Sequence, residues 1–184
     1  MMDKSVVKIP EKFKDHPLFN NLVCGTNFGF MSKNGYYFTD FAKAQPPLMK
    51  EMGINCTTIN FNICQETFSS TRLFMDFEFS SNETEIVETV KKLHENGVTV
   101  ILKPCLTCLD GAAMGMVKFP NTGMLRQIQG VETDYWADWF KSYTECMKYC
   151  ANLATYAKAD SLMIGAELAA PRTKQSTGAR LLSR

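Results

Sequence analysis

The stretch Ser161-Leu162-Met163-Ile164-Gly165-Ala166-Glu167-Leu168 reads as a short buried strand with a carboxylate at its C-terminal end. Apolar residues lead into Glu167, and no other charge lies within the stretch. Burying an unpaired charge is costly, so this carboxylate needs either a structural partner or a chemical task. The strand pattern alone favours a partner, as a cap or a salt bridge to a neighbouring loop. What the rest of the chain delivers to the same place decides whether it does more.

Upstream of Ser161, the residues Trp136, Phe140, Tyr143, Met147, Cys150 and Ala154 recur at three- and four-residue spacing. That spacing predicts an amphipathic helix, capped by Thr133 or Asp134 and ending near Ala159-Asp160. Before it, residues 105–132 form a long connection with turn chemistry at Asp110-Gly111, Pro120-Asn121 and Gly123. Connections of that length inside a compact domain are usually functional or disordered. Val98 to Leu102, bounded by Gly97 and Pro104, is the third strand, with Lys103 at its exit. Ser80-x-x-Glu83 is a capping-box pattern for a helix carrying Ile86, Val90 and Leu93 on one face, and Gly97 ends it.

Ile54 to Cys64 is rich in β-branched and apolar residues and forms the second strand, which leaves through Gln65-Glu66. The aromatic-rich segment after it, residues 67–79, is a loop that packs. Pro46-Pro47 cannot sit inside a helix, so only a short helix is expected from about Pro47 to Met52, with Gly53 as its stop. Leu22 to Thr26 is the first strand, with Asn27 and Phe28 at its exit.

The order is therefore strand–helix repeated three times and then a strand. The strands are continuous apolar runs, as buried parallel strands are. Right-handed βα units place all their exits on one face. Asn27, Gln65, Lys103 and Glu167 are those exits, and sites of open α/β sheets and (β/α)8 barrels lie there. Each has a plainer reading as well. Asn27 and Gln65 suit satisfied turns, Lys103 a solvated strand end, and Trp136 and Trp139 helix packing. Aromatics in the first turn of a barrel helix also reach over the strand ends, where they serve as a sugar platform.

Composition narrows the classes. The chain has 184 residues, 45% of them hydrophobic, and a formal net charge of +1, as one globular domain with a sizeable core would. The near-neutral balance gives no support to a nucleic-acid partner. Residues 1–19 are polar with no apolar segment of a secretory signal, and no run reaches membrane-spanning length, so no membrane partner is expected and the cytoplasm is the expected location. The seven cysteines read first as free buried thiols of a reducing compartment. Cys105-x-x-Cys108 with Cys146 and Cys150 is only a weak zinc pattern. No metal or cofactor is expected, and no GxGxxG, P-loop, GxSxG or HExxH motif is present.

Several words of the sequence, taken in order, resemble glycoside hydrolase family 113, the β-mannanase type of retaining (β/α)8 glycosidase. They are Gly25-Thr26-Asn27-Phe28-Gly29, Cys64-Gln65-Glu66-Thr67, His94-Glu95-Asn96-Gly97-Val98 leading into Leu102-Lys103-Pro104, then Asp110-Gly111, Trp136-x-x-Trp139-Phe140-x-Ser142-Tyr143 and Ile164-Gly165-Ala166-Glu167. The resemblance covers residues from about 21 to 168, roughly the first four βα units of a TIM barrel. It implies a retaining enzyme acting on β-1,4-linked mannose chains, with Glu167 as general acid/base. It further implies sugar contacts from Asn27, Gln65 and Lys103, and stacking from Trp136 or Trp139. Many barrels of the clan carry asparagine before the acid/base, where this chain has Ala166.

The resemblance also implies a second glutamate, the nucleophile at the end of the seventh strand, which this chain does not contain. Retaining chemistry needs both carboxyl groups, about 5–5.5 Å apart. Three segments are expected: an irregular lead-in over 1–20, the N-terminal half of a barrel over 21–170, and a basic tail over 171–184. The tail has four basic and no acidic residues, and it suggests a truncated or frame-shifted product with little or no activity of its own. The alternative is a non-catalytic carbohydrate-binding or interaction remnant. A metal-dependent sugar isomerase is disfavoured, because only two histidines are present. The expected partner is a β-linked oligosaccharide or polysaccharide, mannan first, and exposed barrel edges suggest self-association.

Overall fold

The computed structural model describes residues 22–120, 134–166 and 168. Its centre is one parallel sheet in the order β1-β2-β3-β4, formed by Gly25–Phe28, Cys56–Gln65, Thr99–Cys108 and Ser161–Leu162. The helices between them are α1 (Asp40–Lys43), α2 (Gln45–Glu51), α3 (Glu83–Glu95) and α4 (Tyr135–Ala157). The alternation of strand and helix matches the N-terminal part of a (β/α)8 barrel, as the continuous apolar strands predict.

The ladder is in continuous register, with Phe28 opposite Ile59, Ile59 opposite Leu102, and Gln65 opposite Cys108. Side chains alternate between faces along a strand. Ile59, Phe61 and Ile63 therefore share a face with Leu102 and Leu106, and all are buried in one apolar cluster with Ile86, Val90 and Leu93 of α3. Burying each such side chain contributes about 1.5–3 kcal/mol. Asn27, Thr58, Asn60 and Lys103 occupy the opposite face. That face would line the interior of a closed barrel, and it is polar where the helix-facing side is apolar.

Several boundaries differ from the sequence-based expectation. The third strand does not stop at Leu102; it runs through Pro104 to Cys108. The reason is which way Pro104 would donate. Val100 and Leu102 present their carbonyls to the β4 side, bonding Asp160 N at 3.0 Å and Met163 N at 2.9 Å, whereas Thr99 donates to Asn55 on the β2 side. The missing N–H of Pro104 thus falls on the β4 side, where no β2–β3 bond is lost. Lys103 is consequently inside the strand, five residues before its end, and the expected exit position is corrected.

The first strand is likewise shifted, so that Asn27 lies inside it and not at its exit. Leu22 to Cys24 precede the sheet and are tied down by Asn55, whose side chain accepts from Cys24 N and donates to Leu22 O. Pro46 and Pro47 fall in the first turn of α2, where their missing N–H groups cost nothing, so the helix begins at Gln45 and a separate short turn, α1, precedes it. The capping box of α3 is displaced by two residues: Asn82 accepts from Glu85 N at 2.9 Å, while the Ser80 hydroxyl accepts from Asp76 N. Asp134 caps α4 by accepting from Ala137 N at 3.0 Å. Among the described residues the fourth strand pairs through Ile101–Ser161 and Leu102–Leu162, and Ile164 beyond it is 46% exposed, so this segment is less buried than its apolar sequence suggests.

Candidate active site at the strand ends

The best-organised polar construction at the C-terminal ends of the strands starts at Gln65, the last residue of β2. Its side chain is on the helix-facing side and fully buried. The amide oxygen accepts from Trp139 Nε1 at 3.0 Å, and the amide nitrogen donates to Thr67 O at 2.8 Å and lies 3.4 Å from Cys108 Sγ. Every hydrogen-bonding group of this amide is thus directed at protein. Trp139 in turn stacks on Tyr143, with ring centroids 4.9 Å apart and planes 14° apart. The Tyr143 hydroxyl donates to Ile164 O at 2.8 Å. A line of contacts therefore runs from the end of β2, through two aromatic residues on successive turns of α4, to the chain leaving β4.

The loops above the strands are fastened to each other. Pairing continues past the ends of β2 and β3, with Leu109 N donating to Gln65 O and Asp110 N to Glu66 O. The Asp110 carboxylate accepts from Phe68 N and Ala112 N, both at 3.0 Å, which fixes the two loops relative to each other. On the other side, Asn62 donates to Ser32 O and Phe79 O and accepts from Thr107 Oγ1 at 3.0 Å. One buried asparagine so holds the loops that follow β1 and β2.

Burial dominates the electrostatics. It pushes the phenol of Tyr143 well above its ordinary range and the Cys150 thiol up to about 12. The Cys108 thiol is raised by burial and then by the Asp110 charge. These groups stay neutral and serve as packing and hydrogen-bonding parts. Glu85, in the first turn of α3, is fully buried and accepts from Gly35 N at 2.7 Å. Burial raises its pKa, while the Ser81 hydroxyl and the Gly35 and Asn82 N–H groups oppose that shift.

The expected site residues separate into groups. Gln65, Trp139 and Trp136 are brought together, Trp136 lying edge-on to Trp139 at 6.2 Å and to Phe119 at 4.8 Å. Trp139 is fully buried and Trp136 only half-buried, so Trp136 is the more open of the two. Asn27 and Lys103 sit on the other face, further than Gln65 from the C-terminal ends of β2 and β3. The Asn27 side chain accepts from Thr58 Oγ1 at 2.6 Å, and Lys103 stands opposite Asn60. Glu167 lies outside the described residues. Sequence reading missed Asn62 and Tyr143 as organisers, because each looks like an ordinary strand or helix residue until its partners are known.

A groove of about 540 Å³ lies between the segment Thr71–Met75 and the outer side of α4, away from these residues. Among the described residues, no group of three His, Cys, Asp or Glu side chains is placed to hold a metal ion, and no helix is long and apolar enough to cross a membrane.

A four-stranded parallel sheet alternating with helices, with its polar construction at the strand C-terminal ends, matches the N-terminal part of the (β/α)8 barrel class. Within that class the chain belongs to Glycoside Hydrolase Family 113, whose family model matches residues 26–184. Its fold is similar to the structure of a GH113 β-1,4-mannanase, with 25% sequence identity and a TM-score of 0.75, over 88% of this chain and 50% of that one. It is also similar to the GH113 β-mannanase AaManA from Alicyclobacillus acidocaldarius in complex with ManMIm, with 24% identity and a TM-score of 0.74, over 86% and 49% of the two chains. The chain thus spans about half the length of the solved structures it matches. A comparison with curated proteins finds no significant match.

Proposed function

We propose that this chain contributes the acid/base half of a retaining β-1,4-mannan hydrolase, with Glu167 as the general acid/base. The observation that carries the reading is the family match over residues 26–184, which contains the whole strand-end construction. The similarity to mannanase structures supports a β-mannoside as the substrate class. In this reading Glu167 protonates the leaving oxygen and a carboxylate from the seventh strand of the barrel attacks the sugar. The Gln65–Trp139–Tyr143 line holds the chain that leads into Glu167, so these residues act as positioning groups. Trp136 supplies stacking at the rim, and Asn27 and Lys103 act from the inner face.

A second reading of the same strand-end residues is a carbohydrate-binding module that holds β-linked oligosaccharides without cleaving them. Self-association belongs to the same proposal. Leu22 is 83% exposed and Met52 76% exposed, and a shallow apolar groove beside β1 is lined by Phe41, Leu48 and Met52. Among the described residues β1 pairs on one side, with β2, and a parallel edge flanked by apolar residues favours association with another chain.

Calorimetry with β-1,4-mannohexaose, run beside a hydrolysis assay on β-1,4-mannan, tests the two readings. Binding with turnover that disappears in Glu167→Gln supports the hydrolase. Binding without turnover supports the binding module. Absence of both, in the chain alone and in a completed barrel, contradicts both.

A further inference from the structure

The segment following β1 combines features that ordinary packing does not require together. Phe30, two residues past the strand end, is 72% exposed, and Met31 beside it adopts a left-handed conformation at φ 49°. Such a conformation is unfavourable for a side chain larger than asparagine and persists only where surrounding contacts impose it. The contacts are present. Tyr37 Oη shares its proton between Asn60 O at 2.6 Å and Phe28 O at 2.9 Å, Asn60 Nδ2 donates to Gly29 O, and Asn62 Nδ2 donates to Ser32 O at 3.2 Å. Three buried side chains thus hold three carbonyls around an exposed aromatic.

Gly29 completes the clamp. Its φ is +73°, and a Cβ there would overlap the hydroxyls of Tyr37 and Ser32. The backbone is therefore fixed on both sides of Phe30. Next to the ring is an open cup of about 480 Å³, bordered by Lys33, Asn34, Tyr36 and Thr39. Lys33 is held by Glu78 at 2.7 Å and lies over the Phe79 ring, and Asn34 is held by Phe77 O and Asn82, so the cup's wall is fixed as well.

A solvent-facing aromatic on a fixed backbone at the strand-end face suits a ligand with flat apolar C–H surfaces and a polar rim. A β-linked hexopyranose has that form, and an aromatic ring on a held backbone binds it with little backbone ordering. We propose that Phe30 is a carbohydrate-stacking residue that takes the apolar face of one hexopyranose unit of the substrate chain. This rests on the glycan-binding reading above and adds to it a contact on the β1 side, opposite the Trp136 side.

The test is calorimetric titration of the chain with β-1,4-mannohexaose, comparing the unmodified protein with Phe30→Ala and Phe30→Trp. Circular dichroism melting of each serves as the control for folding. The expected result is a loss in affinity of about tenfold for Phe30→Ala and retention or gain for Phe30→Trp. Unchanged affinity in a folded Phe30→Ala overturns the proposal while leaving the glycan reading intact. A Phe30→Ala protein whose melting or association changes but whose affinity does not shows that the ring packs against protein, and this also overturns it. No binding by any form overturns the glycan reading and the proposal with it.

Discussion

At the scale of single residues, the strand-end construction depends on polar groups that have no water to fall back on. Gln65 Oε1 is buried and relies on the indole N–H of Trp139. Trp139→Phe keeps most of the ring but leaves that oxygen without a donor, a cost of about 1–3 kcal/mol. Denaturant unfolding should show the loss, and Trp139→Phe combined with Gln65→Leu should recover part of it. Glu85 is the other residue with a clear signature. Its folded pKa is raised, chiefly by burial, so its favourable contribution is fully present below the unfolded value and is lost as pH rises through the folded one. Glu85→Gln keeps an acceptor for Gly35 N and removes that loss. The variant should show a flatter stability profile as pH rises above the ordinary carboxylate range; a steeper profile would show that the charged form is the stabilising one.

Much at this scale could not be read from sequence. Glu83 and Glu85 look alike in a string of letters, and only the fold decides that Glu85 is inside and that Asn82, not Ser80, is its capping partner. Gln65 was legible as a strand-end residue, but its orientation toward the helices was not. A shift of one residue in the pleat reverses the face, and nothing in Cys64-Gln65-Glu66 fixes the phase.

Among the elements, the strands and the two long helices followed directly from apolar runs and three- and four-residue spacing. The error in β3 came from treating Pro104 as a boundary. Proline stops a strand only when its missing N–H faces a partner strand, and here it faces the side where β4 pairs with only two residues. The loops carried the least local signal, because what organises them is the remote residue Asn62. Asn62→Leu fills the space but removes the donors to Ser32 O and Phe79 O. Hydrogen exchange should rise at residues 30–34 and 77–81 with little change in α4. Uniformly faster exchange across the sheet would mean that Asn62 supports the fold as a whole and not those two loops.

For the whole molecule, the sheet's order and direction were legible, since continuous apolar strands joined by helices admit few arrangements. Among the described residues β1 has its strand partner, β2, on one side. The apolar surface around Leu22, Phe41 and Met52 predicts concentration-dependent association of the chain in sedimentation experiments. Met52→Glu should shift that equilibrium toward the monomer, and an unchanged distribution would place the contact elsewhere.

The most direct measurement for the function is made on a completed barrel, with this chain joined to the C-terminal half of a family 113 enzyme. The rate of β-1,4-mannohexaose cleavage is compared between Glu167 and Glu167→Gln. Loss of the general acid should lower the rate by about 10²–10⁴-fold while the oligosaccharide still binds. Equal rates in the two proteins would contradict the assignment of Glu167 as the acid/base and, with it, the mechanism proposed for this chain.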